Sequence, residues 1–118
     1  REVQRAADDA ARGFRLGQIQ PQVLPVQTVA DGLTTAMSDM TCAAMRRGAA
    51  DVVTASEAGI VNAMRLVWQR MKILIEASSA VPVAAMLEQA MELRGLRVGV
   101  VLTGGNVDLD RLPWVKGA

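Results

Sequence analysis

The sequence has no histidine and a single cysteine, Cys42, in 118 residues. One cysteine cannot form a disulfide within the chain, and the lack of histidine excludes a cysteine–histidine catalytic pair or a zinc site built within it. Aromatic residues make up only 3% of the chain, whereas hydrophobic residues make up 51%. A core must therefore be built from Ala, Val, Leu, Ile and Met.

Charge of one sign and long apolar runs are also lacking. The net charge is +1, and the charged residues are spread along the chain without a basic stripe, so nucleic acid is not an expected partner. No apolar run approaches the roughly 18 residues of a membrane span, and residues 1–5 lack the apolar stretch of a signal peptide. We therefore expect one cytoplasmic domain with no membrane partner.

Helical periodicity is present along much of the chain. Thr54 followed by Glu57 is a capping-box pattern, which predicts the start of the third helix there. In the fourth helix Ser78 or Ser79 is expected to be the cap, with Pro82 in the first turn. Large apolar side chains predict the buried stripe of that helix: Val83, Met86, Leu87 and Met91. The predicted helices span residues 4–16, about 37–48, about 55–72 and about 79–95.

Two short apolar runs predict extended structure. Residues 73–75 are expected to form a buried strand or to continue the preceding helix, and residues 97–102 to form a central parallel strand. A polar, glycine-rich turn follows directly at residues 103–106, Thr-Gly-Gly-Asn, and is called the glycine turn below. Ligands of open α/β sheets bind beyond the carboxyl ends of strands. On the residues alone, a ligand site and a plain turn both remain open.

Four separated pieces of the chain share their order and nearly their spacing with one family. They are residues 7–9 (Ala-Asp-Asp), 28–32 (Thr-Val-Ala-Asp-Gly), 65–76 (from Arg-Leu-Val-Trp to Leu-Ile-Glu) and 101–109 (from Val-Leu-Thr-Gly-Gly-Asn to Asp-Leu). The chain resembles the serine/threonine dehydratase and serine racemase family of pyridoxal-phosphate enzymes. The resemblance implies an α/β fold with a three-layer open parallel sheet flanked by helices. Residues 1–118 would form the carboxyl-terminal part of the large cofactor-binding domain of this tryptophan-synthase-β-like fold.

The resemblance also implies a set of residues that bind pyridoxal 5'-phosphate. Gly32 matches a glycine whose backbone lies against the reactive end of the cofactor. Thr103 matches the residue, usually serine, whose hydroxyl bonds the pyridine nitrogen and leaves it largely unprotonated, which suits β-elimination. Glu76 matches a carboxylate near the ring. Gly104 and Asn106 belong to the turn beside it.

Two further sites are implied by the same resemblance. Lys72 and Asn106 match positions that contact ATP in the animal racemases. Ala7 and Asp9 match a backbone-carbonyl ligand and a carboxylate ligand of a divalent cation, and oxygen ligands suit Mg or Ca. The family's remaining carboxylate is expected six residues before Asp9, where this chain has Val3.

The resemblance places the Schiff-base lysine, the loop against the ring and the phosphate loop in an earlier segment. We therefore expect no catalytic residue in this chain, which would be inactive alone and completed by an amino-terminal segment or chain. The assembled protein, a homodimer or higher oligomer, would be an ammonia-lyase (dehydratase) that removes water from serine, threonine or 3-hydroxyaspartate. Two alternatives stay open: a serine or other amino-acid racemase, and a non-catalytic α/β binding module.

Overall fold

Helices dominate the computed structural model, which describes residues 8–22 and 24–115. Within these residues no helix is both long and apolar enough to cross a membrane. Residues 4–7, where the first helix was predicted to begin, lie outside the described part. The helices are α1 (Asp9–Leu16), α2 (Asp39–Gly48), α3 (Glu57–Met71) and α4 (Ala77–Leu87), with a 3-10 turn at Asp31–Leu33 between the first two.

The carboxyl ends of the first three helices lie where the sequence predicts them. Gly17 takes a left-handed conformation after α1, and its N–H donates to the Gly13 carbonyl at 2.9 Å. Helix α2 ends at Gly48. Helix α3 ends at Met71, and Lys72 follows at φ 60. These predictions are confirmed because each end carries a local signal in one or two residues.

The predicted start of α3 is wrong by two residues. Ser56, not Thr54, is the cap, and its hydroxyl accepts the Gly59 N–H at 3.0 Å. The Glu57 carboxylate does not complete a capping box. Instead it accepts the backbone N–H of Val29 at 2.7 Å, so a bond across 28 residues replaces the local one.

Helix α4 departs further from the prediction. It begins at Ala77, with Glu76 at the cap position, and ends at Leu87 rather than near Gly95. Pro82 therefore lies in the second turn and not in the first. The predicted stripe of large residues is wrong for Leu87 and Met91, which are exposed, whereas Val83 packs against the core. Small residues form the buried face instead: Ala77, Ser79, Ala80, Ala84 and Ala85.

The core lies between α3 and α4. The alanines of α4 let the two helices approach closely, and Met64 of α3 fills the space between them with only 2% of its surface exposed. Burial of one side chain of this size stabilises the fold by roughly 1.5–3 kcal/mol. In the last turn of α3, the Trp68 indole donates to the Ile75 carbonyl at 2.9 Å, and the Trp114 ring packs edge-on against it with the ring centroids 5.2 Å apart. These contacts fix the segment that leads into α4.

The described residues form no strand, so they do not contain the predicted three-layer sheet. Residues 97–102 have no regular secondary structure, and Val101 is 78% exposed. A strand needs a neighbour about 4.8 Å away along its length. The backbone bond found here comes after residue 102, where the Glu76 N–H donates to the Gly104 carbonyl at 3.3 Å. This single bond is too little for a ladder.

Candidate functional site

The first turn of α4 joins two distant segments of the chain. The buried Ile75 and the indole bond to its carbonyl hold the start of the helix in place. The 3-10 turn bonds to it from one direction and the glycine turn from another. Four residues predicted for the cofactor site are therefore brought together here: Gly32, Glu76, Gly104 and Asn106.

Gly32 lies directly against α4. Its N–H donates to the Ser78 hydroxyl at 3.0 Å and also to the Asp31 carboxylate at 2.9 Å. A Cβ at position 32 would lie 2.8 Å from the Ser78 hydroxyl oxygen, which is closer than real side chains come. A side chain at position 32 would therefore displace the Ser78 hydroxyl and weaken its bond to the Gly32 N–H.

Glu76 is bound to the glycine turn. Its half-buried carboxylate accepts the Asn106 N–H at 3.2 Å, and its own N–H donates to the Gly104 carbonyl. Gly104 has φ +82, and a Cβ there would lie 2.8 Å from the Glu76 carboxyl carbon. The carboxylate thus occupies the space that a side chain at position 104 would need. In this structure Glu76 shapes the turn.

Ser79 is a second contact of α4 with the glycine turn. It is buried, and its hydroxyl donates to the Gly104 carbonyl at 3.1 Å. The sequence pattern indicated Ser78 and Ser79 only as helix caps, and their contacts with the predicted site were not predicted. The only signal in the sequence was two adjacent hydroxyls directly after Glu76.

Two predicted residues lie outside this hydrogen-bonded group. Thr103 is exposed and immediately precedes Gly104, so its position follows that of the turn. Lys72 is exposed at the carboxyl end of α3. Asn106 joins the group through its backbone N–H, because that N–H bonds Glu76. The ATP contact predicted for Lys72 and Asn106 therefore remains a prediction.

A cleft of about 290 Å³ opens between the 3-10 turn, the start of α4 and the residues after the glycine turn. This volume is near the lower limit for small-molecule sites, roughly 300 Å³. Three carboxylates and one guanidinium provide its charged groups: Asp31, Glu76, Asp108 and Arg111. Gly32 and Thr103 are not among the residues that line it. Its negative charge does not favour a phosphate.

Thr103 has an exposed hydroxyl and Gly32 has no side chain, which is compatible with the edge of a pyridine ring. For the phosphate the start of α4 is unsuitable, because Glu76 at the cap position brings a negative charge to the helix end where an anion would otherwise bind. The phosphate must therefore be held by residues other than those at this helix end.

Part of the predicted cation site lies outside the described residues, since Ala7 belongs to that part. Asp9 is buried in the first turn of α1, and its neighbour Asp8 forms an ion pair with Arg12 at 2.8 Å. Over residues 8–22 and 24–115, no group of three or more His, Cys, Asp or Glu side chains could hold a metal ion. The Mg or Ca site remains a prediction.

The fold of this chain also occurs in a solved amino-acid racemase. Serine racemase from Dictyostelium discoideum superposes with a TM-score of 0.79 and 41% identity, over 87% of this chain and 33% of that one. The fold thus matches about a third of that enzyme. A family model described as pyridoxal-phosphate dependent enzyme matches residues 2–104. The chain belongs to this family of pyridoxal-phosphate dependent enzymes.

Curated relatives agree with this assignment. β-Hydroxyaspartate dehydratase of Paracoccus denitrificans is 48% identical over 108 residues, which are 92% of this chain and 34% of the relative. Serine racemase of Rattus norvegicus is 40% identical over 115 residues, 95% of this chain and 34% of the relative. This chain therefore spans about a third of the length of the curated relatives it matches. The predicted family and its cofactor, pyridoxal phosphate, are confirmed.

Proposed function

We propose that this chain is the carboxyl-terminal part of the large domain of a pyridoxal-phosphate-dependent ammonia-lyase. Its substrates are β-hydroxy amino acids such as serine, threonine or 3-hydroxyaspartate. The observation that carries the proposal is the bonding of Gly32 and the glycine turn to the first turn of one helix. The 48% identity to a β-hydroxyaspartate dehydratase supports a lyase.

Each residue of the group has a proposed part in this reaction. The cofactor, when bound, withdraws electrons from the substrate's α-carbon so that a proton and the β-hydroxyl are lost. Thr103 donates its hydroxyl to the pyridine nitrogen. Gly32 has no side chain and so leaves room for the reactive end of the cofactor. The Glu76 carboxylate holds the glycine turn by accepting the Asn106 N–H. The chain supplies the ring-side wall of the site and no catalytic residue.

Exposed apolar residues support completion of the domain by an amino-terminal segment or chain. Ile73 and Leu74 precede α4, and Val98 and Val101 precede the glycine turn, and all four are exposed. Exposed apolar side chains that form one patch mark a contact with other protein, and we propose that these four residues do so. We propose that residues 73–75 and 97–102 become parallel strands of a three-layer sheet once their neighbours are present. The complete protein would be a homodimer or higher oligomer.

A chimera tests the proposal. Residues 1–118 replace the matching third of the Paracoccus denitrificans β-hydroxyaspartate dehydratase, and the product is called the chimera below. We expect it to bind pyridoxal phosphate, seen as an absorbance band at the visible edge, and to release ammonia and a keto acid from a hydroxy amino acid. The unmodified relative is the positive control, and the relative without the exchanged third is the negative control.

A folded chimera without the cofactor band would contradict the proposal and favour a non-catalytic module. The 40% identity to rat serine racemase makes racemisation the second candidate. Chiral analysis of serine after incubation with the chimera separates the two activities. A lyase consumes serine and yields keto acid, whereas a racemase leaves total serine constant and produces the other enantiomer.

A further inference from the structure

Ser79 is a polar side chain on a face of α4 that is otherwise alanine. Only 4% of the residue is exposed, and the neighbouring buried residues on this helix are Ala77, Ala80 and Ala84. A hydroxyl buried in such surroundings costs free energy unless it forms a hydrogen bond. The bond it makes joins α4 to the Gly104 carbonyl, 25 residues further along the chain. The hydroxyl of Ser79 therefore contributes a contact between segments that the alanines beside it cannot make.

The Gly104 carbonyl accepts two hydrogen bonds. The Ser79 hydroxyl lies 3.1 Å from it and the Glu76 N–H lies 3.3 Å from it. Two donors on one carbonyl fix the plane of the peptide between Gly104 and Gly105. Two consecutive glycines have the widest backbone freedom of any pair, so such outside contacts must determine their conformation. Thr103, the residue before them, is positioned by the same constraint.

We infer that Ser79 is a positioning residue for the Thr103 hydroxyl. Its hydroxyl holds the Gly104 carbonyl, the carbonyl sets the conformation of the glycine turn, and the turn aims Thr103 at the pyridine nitrogen of the cofactor. Ser79 itself touches neither cofactor nor substrate. This inference rests on the proposed function, because it needs the cofactor ring beside Thr103.

The test uses the chimera loaded with pyridoxal phosphate labelled with nitrogen-15 in the ring. The NMR chemical shift of this nitrogen, called the resonance below, responds to the hydrogen bond at the pyridine nitrogen. It does not depend on turnover. Ser79→Ala is expected to move the resonance in the same direction as Thr103→Val and to lower kcat roughly 2- to 10-fold, the worth of one hydrogen bond. KM should stay unchanged. Ser79→Thr keeps the hydroxyl and should leave the resonance where it is in the parent.

The double variant decides how Ser79 acts. If Ser79 works through Thr103, Ser79→Ala shifts the resonance in the parent and has no further effect when Thr103 is already valine. An equal shift in both backgrounds, or no shift in the parent, overturns the inference. If Ser79→Ala loses the cofactor, Ser79→Cys serves instead, since its thiol is a weaker donor of similar size and an intermediate shift is expected.

Failure of the inference differs from failure of the proposed function. If Thr103→Val leaves the nitrogen resonance where it was, Thr103 does not bond the ring, and the proposed function loses its central residue. If Thr103→Val moves the resonance and neither Ser79→Ala nor Ser79→Cys does, only the positioning role is wrong. Thermal unfolding of each variant measures its stability. If Ser79 only stabilised the fold, Ser79→Ala would lower the unfolding temperature and leave the nitrogen resonance where it was.

Discussion

Gly104→Val is expected to abolish cofactor binding by the chimera and to lower kcat/KM by more than about 100-fold. Two effects add at this position. Gly104 has φ +82, which a β-branched residue adopts only at high cost. Its Cβ would also displace the Glu76 carboxylate, which would then lose its bond to the Asn106 N–H. The turn must open to relieve the strained φ, and Thr103 then leaves its place. Absorbance of the cofactor band and the rate of ammonia release measure the effect.

Gly48→Val is the matched control. Gly48 ends α2, and a Cβ built there meets nothing within 4 Å. The same change of residue should therefore leave the cofactor band and the rate within about twofold of the parent, because an exposed site costs within about 0.5 kcal/mol. A Gly104→Val chimera that keeps its band and its rate would show that the conformation of the turn is not needed.

Thr103→Val is expected to lower kcat about 2- to 10-fold while Thr103→Ser stays near the parent. Valine has the shape of threonine without its hydroxyl, so only the hydrogen bond to the pyridine nitrogen is lost. A hydrogen bond between neutral groups is worth roughly 0.5–1.5 kcal/mol, which corresponds to this range. Steady-state rates with a hydroxy amino acid measure it.

The exposure of Thr103 makes this comparison clean, since neither substitution disturbs the core between α3 and α4. Equal rates for the Val and Ser variants would remove Thr103 from the proposed site. A loss in both, with the cofactor band intact, would instead assign the effect to packing around the methyl group.

Local signals predicted the carboxyl ends of three helices. Contacts between helices determined which face of α4 is buried. Gly17 and Gly48 mark their helix ends within one residue of the sequence signal. The buried face of α4 could not be predicted in the same way. Large residues such as Leu87 were expected to be buried because they are the most apolar, but close approach to α3 requires alanine, and this requirement is visible only when both helices are in place.

The candidate site was predictable only through the family resemblance. The glycine turn alone also suits a plain connection, and only the matched pieces linked Gly32, Glu76 and Gly104 in advance. Ser79 was missed because its bond spans 25 residues and leaves no pattern in the nearby sequence. The strand at residues 97–102 remains a prediction for a related reason. A strand is defined by its neighbours, and the described residues supply none along its length.

A crystal structure of the chimera with bound pyridoxal phosphate tests the central claim most directly. The decisive quantity is the distance between the Thr103 hydroxyl oxygen and the pyridine nitrogen. We expect roughly 2.8 Å, a hydrogen bond, with the Ser79 contact to the Gly104 carbonyl retained. A pyridine nitrogen that faces the Glu76 carboxylate or solvent, with the Thr103 hydroxyl more than about 4 Å away, would contradict the account.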